Sequence, residues 1–262
     1  MANATTPIAL VTGANHGIGL ATAAGLAEAG CDVVATYLRG TNRSPDLAPD
    51  SDYHAARDAG GEEVRAAIEA AGRRCLTIEV DLADSAAPEQ LFAAAEAELG
   101  PVSILVHNAS GWRRDSFGAA GEPVSSESAD MQLHVDARAG GLLMQQFIDR
   151  HRARQATWGR IVTMTSAGTS GFPGQASYGA TKAALTSYTL TAAAEMAADG
   201  VTANVVHPPL TDTGWITDDV RAFLETDHEH HHIVEPAEVA EVIVWLCTQA
   251  SRVVTGNVLR LR

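Results

Sequence analysis

Residues 7–19 read Pro7-Ile8-Ala9-Leu10-Val11-Thr12-Gly13-Ala14-Asn15-His16-Gly17-Ile18-Gly19. The run Pro7–Thr12 is short, apolar and closed by a glycine, the pattern of a strand buried on both faces of a parallel sheet. The glycines at 13, 17 and 19 then open a helix expected to reach about Ala29. Strand, glycine turn and helix together make a phosphate cradle. Glycines let the backbone approach an anion, and the first-turn N–H groups and the positive helix end face it. Gly13, Asn15, His16, Gly17, Ile18 and Gly19 are therefore the candidate pyrophosphate-binding residues. Their spacing is G-x-x-x-G-x-G and departs from the dinucleotide fingerprint G-x-G-x-x-G.

Outward from this unit, apolar segments of strand length alternate with Ala-rich helical segments to the end of the chain. Strands are expected at Cys31–Tyr37, Cys75–Val80, Val102–His107, Gly159–Ser166, Val201–His207 and Val253–Leu261. Between them lie helices at Glu62–Ala71, Pro88–Leu99, Ser126–Arg150, Ala176–Ala198 and Pro236–Cys247. Such alternation defines an α/β, Rossmann-like doubly wound fold, and with no repeat or linker dividing the 262 residues, one domain is expected across 1–262. Residues 40–61, with Pro45, Asp46, Pro49, Asp50 and Asp52, form a long turn-rich connection near the adenosine end, with a short helix at Asp52–Ala59.

Charge narrows the function classes. With 18 Lys+Arg against 32 Asp+Glu the net charge is -14, which disfavours nucleic-acid and anionic-membrane partners. No stretch approaches the ~20 apolar residues of a membrane span, and no charged leader precedes the first strand, so a cytoplasmic protein is expected. Cys31, Cys75 and Cys247 are far apart and form neither a disulfide framework nor a zinc pattern. His228, His230, His231 and His232 crowd an acidic loop without tetrahedral spacing, so no metal is expected.

The end of the second strand should lie beside the adenosine ribose. Tyr37 stands where an acid would repel a 2′-phosphate, and Arg39 follows it, with Arg43 beyond. This favours NADP over NAD as cofactor, unless these arginines are solvated loop charges. Asp81-Leu82 meets the adenine at the end of the third strand, or Asp81 caps the next helix. Asn108-Ala109-Ser110 after the fourth strand is small enough for a flat ring to lie against the backbone. After the sixth strand, Pro208 to Thr213 (with Thr211 and Thr213 as further cofactor contacts) opens a segment read as a flap at about 210–234.

Tyr178 and Lys182 lie four residues apart on a helix and therefore on one face. An ammonium beside a phenol favours the phenolate and lowers a pKa that is ordinarily ~10. Tyr178 is thus a candidate general acid or base. Ser166, leaving the fifth strand, is placed to hydrogen-bond the same substrate oxygen.

In this order, Thr12-Gly13-x-x-x-Gly17-x-Gly19, Asp81, Asn108-Ala109, Ser166, Tyr178-x-x-x-Lys182 and Pro208 make the whole chain resemble the classical short-chain dehydrogenases/reductases, with a general likeness to 3-oxoacyl-carrier-protein reductases. The resemblance implies a seven-stranded parallel sheet flanked by helices, a nicotinamide cofactor, a small-molecule carbonyl or alcohol substrate, and a homotetramer or homodimer. It implies that Tyr178 protonates the developing alkoxide, that Lys182 lowers its pKa and holds the nicotinamide ribose, and that Ser166 steadies the substrate oxygen. The commonest family interval back from the tyrosine reaches Thr165 instead of Ser166. Asp136 stands where the family has an asparagine linking the lysine to a water relay, adding a charge able to pair with Lys182. Asn-Ala-Ser replaces Asn-Ala-Gly, Pro208-Pro209 replaces Pro-Gly, and the family's glycine-rich C-terminal end is absent after Arg262. The substrate pocket is expected from Ser110–Phe117, Gly168–Pro173 and Leu210–Val234, with Trp112, Phe172, Trp215 and Phe223 as apolar walls. Arg113 and Arg114 receive an anionic substrate or are surface charges. Two other readings remain: a nucleotide-binding sensor or scaffold without turnover, and an epimerase or dehydratase of the extended relatives.

Overall fold

A computed structural model describes residues 6–40, 52–118, 122–166, 171–216 and 232–262. Seven strands, β1 (Ile8–Thr12), β2 (Asp32–Tyr37), β3 (Cys75–Glu79), β4 (Ile104–His107), β5 (Gly159–Met164), β6 (Val201–His207) and β7 (Val258–Arg260), form one sheet. Their order is β3-β2-β1-β4-β5-β6-β7, and every pairing is parallel. The helices are α1 (Gly17–Glu28), α2 (Asp52–Asp58), α3 (Glu62–Ala70), α4 (Ala87–Glu98), α5 (Ser126–Gln132), α6 (Ala139–Ala153), α7 (Ala176–Met196) and α8 (Pro236–Leu246).

The two-residue period of a strand sorts side chains between two cores. Leu10 and Leu105 point into one, with Phe92, Leu143, Phe147 and Leu185 from α4, α6 and α7. Their neighbours Ala9, Val11, Ile104 and Val106 point into the other, with Ala23, Leu26, Ile68 and Ile243 from α1, α3 and α8. Burial on both faces explains why β1 is apolar at four of its five positions rather than alternating.

Three expectations need correction. The helix expected over 126–150 is a continuous rod, but Leu133–Arg138 is wound as a π-helix between α5 and α6. The last strand shrinks from Val253–Leu261 to Val258–Arg260, because Val253 is exposed and Gly256 turns the chain at φ 72°. Asp81 does not cap α4, whose N-cap is Ala86; its carboxylate accepts from the Ala83 N–H at 2.8 Å and closes a turn ahead of the helix.

Candidate active site

In the sheet, β1 and β4 are neighbours although β2 and β3 intervene in sequence, so the strand order reverses there and a crevice opens at the carboxyl ends. The glycine turn forms one wall. Gly13 and Gly17 have φ of +64° and +55°, and a Cβ on Gly13 would stand 2.9 Å from Ala109 Cα. A Cβ on Gly19 would fall 1.9 Å from the Gly13 carbonyl oxygen, so the first turn of α1 lies against the loop. His16, the N-cap of α1, makes no side-chain cap, which leaves the first-turn N–H groups available to an anion. Asn108 secures the loop by donating to the carbonyls of Thr12 (3.2 Å) and Gly13 (2.9 Å), and Asn15 donates to Ala59 O at 3.0 Å, just beyond α2. Thr213 reaches the opposite side, where a Cβ on Gly17 would stand only 2.8 Å from its methyl. Burial, assisted by the nearby Arg57 charge, pushes His16 down to about 4, so it is neutral at pH 7. These residues fit a pyrophosphate.

At the adenosine end, Tyr37 packs under Gly61 ahead of α3. Arg39 is already engaged: its Nε donates to both Glu79 oxygens at 3.0 and 3.1 Å. Asp81 is exposed, whereas the Leu82 side chain belongs to the core.

Tyr178 and Lys182 share the inner face of α7. The Lys182 Nζ is 5.4 Å from the centre of the Tyr178 ring and 2.6 Å from Asp136 Oδ1, and both ends of this ion pair are almost wholly buried. Asp136 Oδ2 accepts from the Gly111 N–H at 2.8 Å, beside Ser110. The Ser166 and Ser110 hydroxyls face the Tyr178 phenol, and that of Ser110 makes no hydrogen bond of standard geometry. Thr165 points elsewhere, accepting from Thr186 at 3.2 Å. The expected lowering of the Tyr178 pKa is reversed. Burial is the largest influence and raises it; Lys182 opposes this, but Asp136 offsets the ammonium and the net direction is upward. Lys182 is itself held above its ordinary value because Asp136 and Tyr178 outweigh its burial.

Two buried residues carry no signal of their role in the sequence. Asp115, 1% exposed, accepts from the Ser177 N–H (2.8 Å) and the Ser128 hydroxyl (2.7 Å), so it caps α7 one residue before Tyr178. Its sequence distance of 62 residues from Ser177 hides the cap. His107, at the end of β4, lies between Thr12 Oγ1 (2.9 Å) and the Asp136 carbonyl (3.0 Å). By pattern alone it is only the last residue of a strand.

Around the crevice, Trp112 is fixed by a 2.6 Å bond to Gln175, and Phe172 lies 5.9 Å from the Tyr178 ring. Phe117 is 89% exposed and is no pocket wall. Arg113 is bound by Glu122 and Glu127, as a surface charge would be. The segment after Pro208 and Pro209 is pinned at its base by the Thr211–Val234 bridge, and Trp215 donates to Thr211 O at 3.0 Å. Arg43, Gly168, Phe223, His228, His230 and His231 lie outside the described residues. Among the described residues no group of His, Cys, Asp or Glu could hold a metal, no helix is long and apolar enough to cross a membrane, and all three cysteines are free.

A family model described as enoyl-(acyl carrier protein) reductase matches residues 13–261. A 3-oxoacyl-[acyl-carrier-protein] reductase of Synechocystis is 33% identical over 97% of this chain and 94% of its own. Nodulation protein G of Azospirillum brasilense is 32% identical over 97% and 96%. Among solved structures, a blue fluorescent protein from a metagenomic library in complex with NADPH superposes with a TM-score of 0.79 at 29% identity, covering 97% of this chain and 96% of that one.

Proposed function

The chain belongs to the short-chain dehydrogenase/reductase family, and from that premise we propose that it is an NADPH-preferring reductase of ketone or 3-oxoacyl substrates. The observation that carries the reading is the meeting of Tyr178 and Lys182 on the inner face of α7 with Ser166 beside them. The buried phenol is protonated at neutral pH, the form that reduction consumes, and the buried ammonium 5.4 Å from its ring centre supports the phenolate left behind. The reductive direction rests on the names of the relatives.

When bound in the crevice, reduced nicotinamide supplies the hydride. The chain does the rest. Ser166 hydrogen-bonds the substrate carbonyl oxygen and, with Tyr178, orients it. As hydride adds to the carbonyl carbon, negative charge gathers on that oxygen, and the phenol O–H bond breaks to protonate it. Solvent returns a proton to Tyr178. Lys182, anchored by Asp136, keeps a positive charge beneath the ring and limits the cost of the transient phenolate. Ala109, packed on Gly13, keeps the floor of the crevice thin.

The absence of an acid at Tyr37, the guanidinium of Arg39 and the NADPH held by the structural neighbour support the phosphorylated cofactor. The 3-oxoacyl preference rests on the names of the relatives. A cytoplasmic homotetramer or homodimer, with 210–234 as a flap over the substrate, rests on the family likeness.

The test is loss of reduced-nicotinamide absorbance with NADPH and NADH across β-ketothioesters, diketones, quinones and ketosteroids, using wild type and Tyr178→Phe. We expect turnover with NADPH that Tyr178→Phe abolishes while nucleotide affinity stays within a few-fold. Full turnover in Tyr178→Phe overturns the assignment. Tight nucleotide binding with no turnover of any compound favours the scaffold reading, for which the Asp136–Lys182 pair is the specific structural support.

A further inference from the structure

A line of buried contacts runs from the cofactor cradle to the catalytic lysine, and its middle member has no assigned role. Thr12 Oγ1 accepts from the N–H groups of Asn108 and Ala109, each at 3.1 Å, and lies 2.9 Å from His107 Nδ1. His107 Nε2 lies 3.0 Å from the Asp136 carbonyl oxygen. A carbonyl only accepts, so Nε2 carries the proton, and Nδ1 takes the Thr12 hydroxyl proton. The ring is wholly buried, which pushes its pKa down to about 4 and keeps it in this neutral tautomer. The charged groups acting on it are Asp136 from the π-helical segment and Lys182 from α7; β1 presents only Thr12.

The partner carbonyl sits in the π turn. At the end of that turn the Ala139 N–H is divided between the carbonyls of His134 and Asp136. His107 supplies the Asp136 oxygen with a donor from the sheet. Gly140 permits the close fit, since a Cβ there would stand 3.0 Å from His107 Cδ2 and 2.4 Å from Leu185. Removing that donor favours ordinary α-helical winding, which rotates the residues of the widened turn relative to α7.

We propose that His107 is a positioning residue for the reaction: its bond to the Asp136 carbonyl holds the π turn open so that the Asp136 carboxylate meets Lys182 and sets how strongly the ammonium acts on Tyr178. The proposal rests on the reductase reading of the site, and its failure is separable from that reading's failure. If Tyr178→Phe is inactive but the His107 variants behave as wild type, only the present inference falls.

The experiment compares pH profiles of kcat in the reduction direction for His107→Leu, His107→Gln, Asp136→Asn and His107→Leu/Asp136→Asn. With Asp136 displaced, Lys182 pulls on Tyr178 without compensation, so the alkaline limb moves to lower pH. His107→Leu should show this shift with kcat reduced roughly ten- to hundred-fold. Asp136→Asn should shift the same way, the double variant should shift no further, and His107→Gln, which keeps an N–H donor, should restore the wild-type profile. A wild-type profile in His107→Leu, or additive shifts in the double variant, overturns the proposal. Should His107→Leu not fold, His107→Asn, whose amide is too short to reach the carbonyl, must show the same shift, and a wild-type profile there is equally fatal.

Discussion

Replacing Asp115 by Ala should separate catalysis from nucleotide binding. Gln175, the N-cap of α7, makes no side-chain cap; the carboxylate of Asp115 serves instead, and its backbone carbonyl accepts from the Ala176 N–H at 3.0 Å. Burial works to raise this carboxyl, but the bonds from Ser177, Ser128 and Ala176 prevail and hold it below the ordinary carboxylate range. Asp115→Ala strands a buried N–H at ~1–3 kcal/mol, while the Ser128 hydroxyl falls back on the Ser125 carbonyl at 3.2 Å, and it removes a negative charge from a helix N-terminus, worth roughly 0.3–2 kcal/mol. The sum is about 1–5 kcal/mol, which at roughly 2 °C per kcal/mol for a chain of this size lowers the apparent Tm by about 3–10 °C. Because Tyr178 follows Ser177, the first turn of α7 loosens with it, and kcat should fall by roughly ten-fold or more. The glycine cradle is untouched, so the NADPH Kd should stay within a few-fold.

Asp115→Asn retains an acceptor for the Ser177 N–H, and the Ser128 hydroxyl can turn to accept from the new amide, so its loss should be about 1–2 kcal/mol. The sign with pH is fixed by the depressed carboxyl. Its contribution is fully present above its unfolded value of ~3.9 and is lost as pH falls through the lower folded value, so the deficit of Asp115→Ala should shrink only in strong acid. Circular-dichroism melts at pH 7 and pH 3, with kcat and a fluorescence titration of NADPH, provide the readouts. A Tm within 2 °C of wild type, or equal losses of kcat and NADPH affinity, would refute the cap.

Glu79→Gln should free Arg39 from its bidentate partner and strengthen NADPH binding relative to NADH by a few-fold, measured as the ratio of Kd values; an unchanged ratio removes Arg39 from the 2′-phosphate site. Stability should also fall as pH drops from 6.5 toward 4. Wholly buried His107 refuses a proton until about pH 4, whereas the unfolded chain takes one near 6.5. That difference is worth roughly 3 kcal/mol when fully expressed. His16, pushed down to about 4, acts with the same sign. Urea midpoints at pH 7 and pH 5 test this in wild type and His107→Gln, and equal pH slopes in the two proteins would clear His107 of the effect.

The parts of the structure legible in sequence are those governed by local pattern. β6 is found at its expected bounds, Val201–His207, because an apolar run lies between Gly200 and Pro208. The short helix in the 40–61 connection appears as α2. Tyr178, Lys182 and Ser166 converge as their spacing implies, since four residues on a helix fix a face and a strand end fixes a loop. What is not legible depends on contacts far apart in the chain. The π winding of Leu133–Arg138 has no glycine or proline to announce it; it depends on His107 and on the packing of Gly140 against Leu185. The direction of the Tyr178 shift runs against expectation because charge spacing is visible in the sequence and burial is not.

Asp136 gives these departures a common physical basis. A buried ion pair is costly to desolvate, and it persists only where further bonds satisfy the charges and geometry is held from outside. Here the Gly111 N–H takes one carboxylate oxygen, Lys182 takes the other, and His107 holds the backbone behind it. The aspartate diverts part of the ammonium's field from Tyr178 and leaves a phenol that keeps its proton. A raised pKa keeps the proton on the ground-state phenol and also makes it a weaker acid, so part of that loss must be recovered in the transition state, and the hydroxyls of Ser166 and Ser110 lie where they can ease the phenolate once the proton has gone. The charge added at position 136 therefore tunes the acidity of Tyr178 for both directions of the reaction, and its removal should be read in the pH profile rather than in the direction of turnover.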